Sequence, residues 1–249
     1  MVRGIALLVG LKSVDPAAYG GDGAEGCHGC EHDVDNMVKV ISSVGKYEIN
    51  ILKTRQATAS AITTGIGAAA RTLKSGDMFV FYYSGHGGLK TDINGDEADQ
   101  YDETLVAYDQ QIIDDELAKL WLEFAPSVRI VMLSDSCNSG TNDNIVAMRT
   151  NQQATPINFA GKVPGMQAQL IHFGACRDGQ ASAGYGQGSA FTLALCEVWK
   201  NGSFSGTYPQ FHAAIKNSLK ARGEFQEPQL NCYGEGVDDF YNSRPFSLS

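Results

Sequence analysis

A histidine, His86, follows the apolar run that opens "FVFYYSGHGG" (residues 79–88), and a cysteine, Cys137, follows that of "VMLSDSCNSG" (residues 131–140), 51 positions later. Together these two side chains suffice for thiol catalysis. Imidazole takes the thiol proton, the thiolate attacks a carbonyl, and the imidazolium returns the proton to the leaving amine. Gly85, Gly87 and Gly88 let backbone come close to a substrate, and the N–H groups of Gly87 and Cys137 are placed to hold an oxyanion. Taken singly, a histidine after a strand is usually structural and a buried cysteine is usually an inert small hydrophobe. It is the pair, each at the end of an apolar run and each near glycine, that points to chemistry.

The elements that would position them alternate. "RGIALLVGL", "YEINILK", "DMFVFYYS", "VRIVMLSDS", "AQLIHFGA" and "PQLNCYG" read as strands. Between and after them, "EHDVDNMVKVISSVG", "TASAITTGIGAAARTLKSG", "DDELAKLWLEF", "SAFTLALCEVWKNG" and "YPQFHAAIKNSLKARG" carry helical spacing. Alternation of this kind predicts an α/β fold, a mainly parallel sheet with helices on both faces. Ligands in such sheets sit beyond the carboxyl ends of the strands, where His86 and Cys137 both fall. Residues 15–30, 87–112 and 138–167 are expected as long loops.

With 249 residues, 43% hydrophobic and 19% charged, the chain is expected to form one domain over residues 1–249. Its net charge of −9 opposes binding to nucleic acid or anionic lipid, and no apolar run is long enough to span a bilayer. "MVRGIALLVGLKS" reads as a first buried strand rather than a leader. The six cysteines, scattered over a chain too large to need staples, are expected to be mostly reduced and the compartment cytoplasmic. "CHGCEH", residues 27–32, supports a rival reading in which Cys27 and Cys30 bind zinc or form a redox pair, although a second ligand pair is missing.

Between His86 and Cys137 lies a crowd of acids, "TDINGDEADQYDETLVAYDQQIIDDELAKL", with Lys90 and Lys119 the cations nearby in sequence. Hard oxygen ligands in this number suit Ca²⁺ better than Zn²⁺, yet the spacing is not that of an EF-hand loop. The alternative is that Asp114 and Asp115 open a helix and the rest is a solvated acidic loop.

"YYSGHGG" and "SDSCNSG" resemble the paired motifs of caspase-like cysteine peptidases, in particular metacaspases and their prokaryotic relatives. "ALLVGL", "GCEHDVDNM", "FGACRDGQASA" and "EPQLNC" extend the likeness, in order, over nearly the whole chain. The resemblance implies a caspase-like fold and a cysteine endopeptidase with Cys137 as nucleophile and His86 as base. It implies a pocket for the residue before the scissile bond, lined by Cys30, Asp33, Ser84 and Asp135. Two carboxylates there would favour protein or peptide substrates with Arg or Lys at that position and exclude Asp. It further implies a Ca²⁺ site at Asp102, Asp114, Asp115 and Asp143, and a monomer. The "QAC" pattern of true caspases is absent, since Ser136 precedes the cysteine, and no prodomain is expected before residue 1. A non-enzymatic scaffold of the same fold is the remaining alternative. A basic-specific peptidase is also expected to cut itself after Arg149 or Lys162, in the segment following its own nucleophile.

Overall fold

In the computed structural model, which describes residues 2–20, 27–92, 95, 100–137, 157–175 and 184–249, strands and helices alternate along the chain. The order is β1 (Gly4–Gly10), α1 (Cys30–Ser42), β2 (Tyr47–Lys53), α2 (Ala59–Thr72), β3 (Met78–Thr91), β4 (Tyr101–Val106), β5 (Gln111–Ile113), α3 (Asp114–Leu122) and β6 (Arg129–Cys137). There follow β7 (Gln169–Gly174), β8 (Gly184–Tyr185), β9 (Gly188–Ser189), α4 (Ala190–Trp199), α5 (Tyr208–Ala221), β10 (Gln229–Tyr233) and α6 (Val237–Tyr241). The main sheet has the strand order β10-β7-β6-β3-β1-β2. Strands β2, β1, β3, β6 and β7 are mutually parallel and β10 runs antiparallel at the edge.

Both faces of the central strands are apolar because both are covered. Phe79, Phe81 and Tyr83 of β3 pack with Ile62 and Ile66 of α2 and Leu117 and Trp121 of α3. Val80 and Tyr82, pointing the other way, pack with Val34, Met37 and Ile41 of α1, Phe191 of α4 and Phe211 of α5. Helix starts follow local chemistry. The Thr58 side chain accepts a hydrogen bond from the Ala61 N–H at the head of α2, and Thr207 and Gln210 form a capping box ahead of α5.

β3 departs from the expected pattern in a way that bears on the site. It does not stop near Ser84 but runs 14 residues, to Thr91. Up to His86 it pairs with β6; from Gly87 to Thr91 it pairs with β4, which in turn pairs with β5. Much of what the sequence presents as a loop over 87–112 is therefore an antiparallel arm that leaves the main sheet at the histidine. Tyr83 fixes this departure, with its hydroxyl 2.7 Å from the carbonyl oxygens of both His86 and Val106.

Candidate active site

The β3–β6 register runs without a break from Met78 opposite Arg129 to His86 opposite Cys137. Adjacent strands lie about 4.8 Å apart, so the backbones that carry the two candidate catalytic residues are nearest neighbours at the carboxyl end of the sheet. His86 is partly exposed there, and Gly87, one of the candidate oxyanion donors, opens the arm opposite Leu105.

The same register places Ser84 opposite Asp135. By the pleat both fall on the face covered by α1 and α4, and Asp33, on the first turn of α1, reaches them. Its carboxylate is fully buried; one oxygen accepts a hydrogen bond from Ser84 Oγ at 2.8 Å and the other from the Ser189 N–H at 2.9 Å. Asp33 thus serves the sheet and β9 and does not cap its own helix. Asp135 accepts from Thr192 Oγ1 at 2.7 Å and from the Ser189 hydroxyl. Because the Thr192 hydroxyl gives its one proton to Asp135, the Tyr82 hydroxyl, 2.6 Å away, donates to Thr192. Burial, reinforced by the negative charge of Asp135, pushes the Asp33 carboxyl up to about 8.

Two glycines make room for this packing. A Cβ on Gly10 would come 2.5 Å from the Cys30 carbonyl oxygen, so α1 sits directly on β1 only because residue 10 has no side chain. Gly188 has φ +140°, and a Cβ there would come 2.5 Å from Asp33 Oδ1.

Of the four residues expected in the substrate pocket, Asp33, Ser84 and Asp135 converge. Cys30 is buried one turn earlier on α1, and its sulfur is joined to that of Cys27 in a disulfide, with the Cα atoms 5.5 Å apart. This corrects the expectation of reduced cysteines at that pair. The tight turn before α1, in which the Cys30 N–H donates to the Cys27 carbonyl, brings the two side chains together. Cys196 and Cys232 are free thiols, and burial pushes both up to about 11. Ser189, Thr192 and Tyr82 are hydrogen-bonding neighbours of the two carboxylates, directly or through Thr192, that the sequence does not single out. The serine ahead of the apolar run "AFTLALCEVW" is an N-cap signal, and its second use, on Asp135, follows only from the fold.

Asp102, Asp114 and Asp115 come together, with one carboxylate oxygen from each within 4.8 Å of the others. The donor set is that of a hard cation, but the ammonium of Lys162 lies among the three, 2.9 Å from Asp114 Oδ2 and 3.3 Å from Asp115 Oδ1. The Asp115 N–H also donates to Asp114 Oδ1 at 2.9 Å, so Asp114 does serve the helix start as well. Asp143, the fourth expected ligand, and Arg149 lie outside the described residues.

Residues 3–235 match the family model described as Caspase domain. The chain belongs to the caspase-domain family. Among curated proteins, it is similar to Metacaspase-1 of Botryotinia fuckeliana (32% identity over 150 residues, 55% of this chain and 34% of that protein). It is likewise similar to Metacaspase-1 of Mycosarcoma maydis (35% over 149 residues, 55% and 35%). The chain thus spans about a third of the length of these metacaspases. Among solved structures, protein GSU0716 from Geobacter sulfurreducens superposes with a TM-score of 0.83 at 33% identity, over 98% of each chain. Caspase-1 from Spodoptera frugiperda superposes with a TM-score of 0.64 at 16% identity, over 92% of this chain and 88% of that one, which shows the caspase-like fold.

Proposed function

We propose that this caspase-domain chain is a cysteine endopeptidase that cleaves after Arg or Lys, with Cys137 as nucleophile and His86 as general base and then acid. The observation that carries the reading is one strand pairing: the register that sets His86 opposite Cys137 sets Ser84 opposite Asp135, two residues earlier on each strand. In this scheme the imidazole removes the thiol proton and the thiolate adds to the scissile carbonyl. The developing oxyanion is met by the N–H groups of Gly87 and Cys137, and the imidazolium protonates the departing amine. Water, deprotonated by the same histidine, then opens the thioester. A guanidinium or ammonium on the residue before the scissile bond is attracted by Asp135 and draws Asp33 into its ionised form, whereas an aspartate there would be repelled by Asp135 and would leave Asp33 protonated.

The experiment is peptide hydrolysis with Arg, Lys or Asp before the scissile bond. Cys137→Ala and His86→Ala should each lower the rate by about 10⁴-fold or more while leaving the fold intact, because nucleophile and base act as a unit. Asp135→Ala should cost roughly 2–5 kcal/mol toward Arg substrates. Turnover by the Cys137→Ala protein, or a wild-type preference for Asp, would refute the assignment.

Calcium belongs to this reading as a regulator. Asp102, Asp114 and Asp115 would hold it, and its contribution would be a divalent counter-charge for the three carboxylates. Millimolar calcium should raise activity in the wild type and fail to do so in Asp114→Ala; equal activity in calcium and in chelator would remove it. The disulfide between Cys27 and Cys30 favours a second, redox role for that pair.

A further inference from the structure

Lys162 takes no part in the scheme above, yet it is one of the most enclosed charges among the described residues, its side chain only 7% exposed. Its ammonium lies 2.9 Å from Asp114, 3.3 Å from Asp115 and 4.0 Å from Asp102. Asp114 is fully buried and Asp102 nearly so. Buried carboxylates need a counter-charge, and a lysine supplies a compact one with three donors and no acceptor.

The segment that presents this ammonium is fastened to the core on both sides. Phe159 and Val163 are buried among the residues under α2 and α3, and the Lys162 N–H donates to the Phe159 carbonyl at 3.1 Å. The Phe159 ring meets Trp121 of α3 edge-on at 6.2 Å and Tyr233 of β10 at 5.8 Å. The ammonium is therefore delivered by a fixed backbone, at an effective concentration that a free ion would have to match.

We propose that Lys162 is the resident cation of the Asp102–Asp114–Asp115 cluster. It ties the segment 157–166 to β4 and α3, and a divalent ion enters the cluster only by displacing it. The proposal deepens the calcium reading, since it makes calcium a competitor of a tethered ammonium and so places a threshold on any calcium response.

The test uses the Cys137→Ala protein as parent, so that its outcome is independent of whether the chain is a peptidase. Calcium is titrated calorimetrically into the parent, Lys162→Met and Lys162→Arg, and each is melted in calcium and in chelator. Lys162→Met should bind calcium at least about tenfold more tightly than the parent. It should also melt lower than the parent in chelator and recover in millimolar calcium. Lys162→Arg, which keeps the charge, should behave as the parent. Calcium affinity that is no higher in Lys162→Met, or an unchanged melting temperature in chelator, overturns the proposal. Should Lys162→Met fail to fold, the parent decides alone. An amine-reactive label should modify Lys162 slowly in chelator and faster in calcium at tens of millimolar, and unchanged labelling overturns the proposal.

Discussion

At the scale of single residues, the most informative side chain is Asp33, an acid that the fold holds against its own ionisation. Its carboxyl is pushed up to about 8 by burial and by Asp135, whereas in the unfolded chain it titrates near 3.8. Between those values the native state binds more protons than the unfolded state, so this group's contribution to stability is complete below 3.8 and is lost as pH rises toward 8. His172 acts in the opposite sense. Fully buried, with Nε2 2.8 Å from Ser134 Oγ, it is lowered from 6.5 to about 4 and adds stability as pH rises through that interval. His212, lowered mainly by burial, works in the same direction. The window from 6.5 to 8 lies above the interval of His172 and reaches the value to which Asp33 is raised. We expect the melting temperature of the Cys137→Ala protein to fall across it and that of Cys137→Ala with Asp33→Asn to fall less. An Arg-ending peptide should bind the former more tightly as pH rises, by up to about tenfold per pH unit, the limit for release of one proton. Binding that is flat from pH 6.5 to 8 would contradict an Asp33 that must ionise to receive the guanidinium.

At the scale of elements, the placement of the Asp33 carboxylate depends on β9 meeting α1 without a side chain between them. Gly188→Ala places a Cβ against the Asp33 carboxylate at a positive φ, and we expect a loss of about 1–3 kcal/mol in urea unfolding together with a raised KM for Arg substrates. Stability and KM equal to wild type would mean that β9 adjusts freely. The central strands and long helices were legible because their periodicities are unambiguous: "FVFYYS" is apolar on both faces and "ITTGIGAAA" repeats at helical spacing. Asp33, Ser84 and Asp135 were reached through family resemblance, and the pleat explains their convergence. β4 was not legible. "YDETLV" carries two acids, yet Asp102, Glu103 and Thr104 are all buried, so the polar pattern that marks a loop belongs here to an enclosed strand. β8, β9 and the five-residue α6 are too short for any period to show. Lys162 illustrates a further limit, since its partners lie 47 to 60 residues away and nothing local marks them.

At the scale of the whole molecule, the surroundings of Lys162 bear on self-cleavage. A residue before a scissile bond must enter the enzyme's pocket in an extended segment, and Lys162 is enclosed by three carboxylates on a backbone bolted to the core. Cutting after Lys162 is therefore not expected in the folded protein, which revises the reading from sequence. Arg149 remains the expected position. A cut there would separate β6 from β7 in sequence but not in space, because β7 pairs with β6 on one side and β10 on the other. The piece carrying β7, α4, α5 and β10 also contributes Phe173, Phe191 and Phe211 to the core shared with β1 and β3. Separating the two pieces would expose that core, so the nicked molecule should hold together. Mass spectrometry under denaturing conditions should then find fragments ending at Arg149 and none at Lys162, both absent from Cys137→Ala, while gel filtration under native conditions returns the nicked protein as one species of unchanged size. Fragments ending at Lys162 in chelator would contradict the enclosure of that side chain, and dissociation after the cut would show that the sheet pairing and the shared core do not hold the halves together.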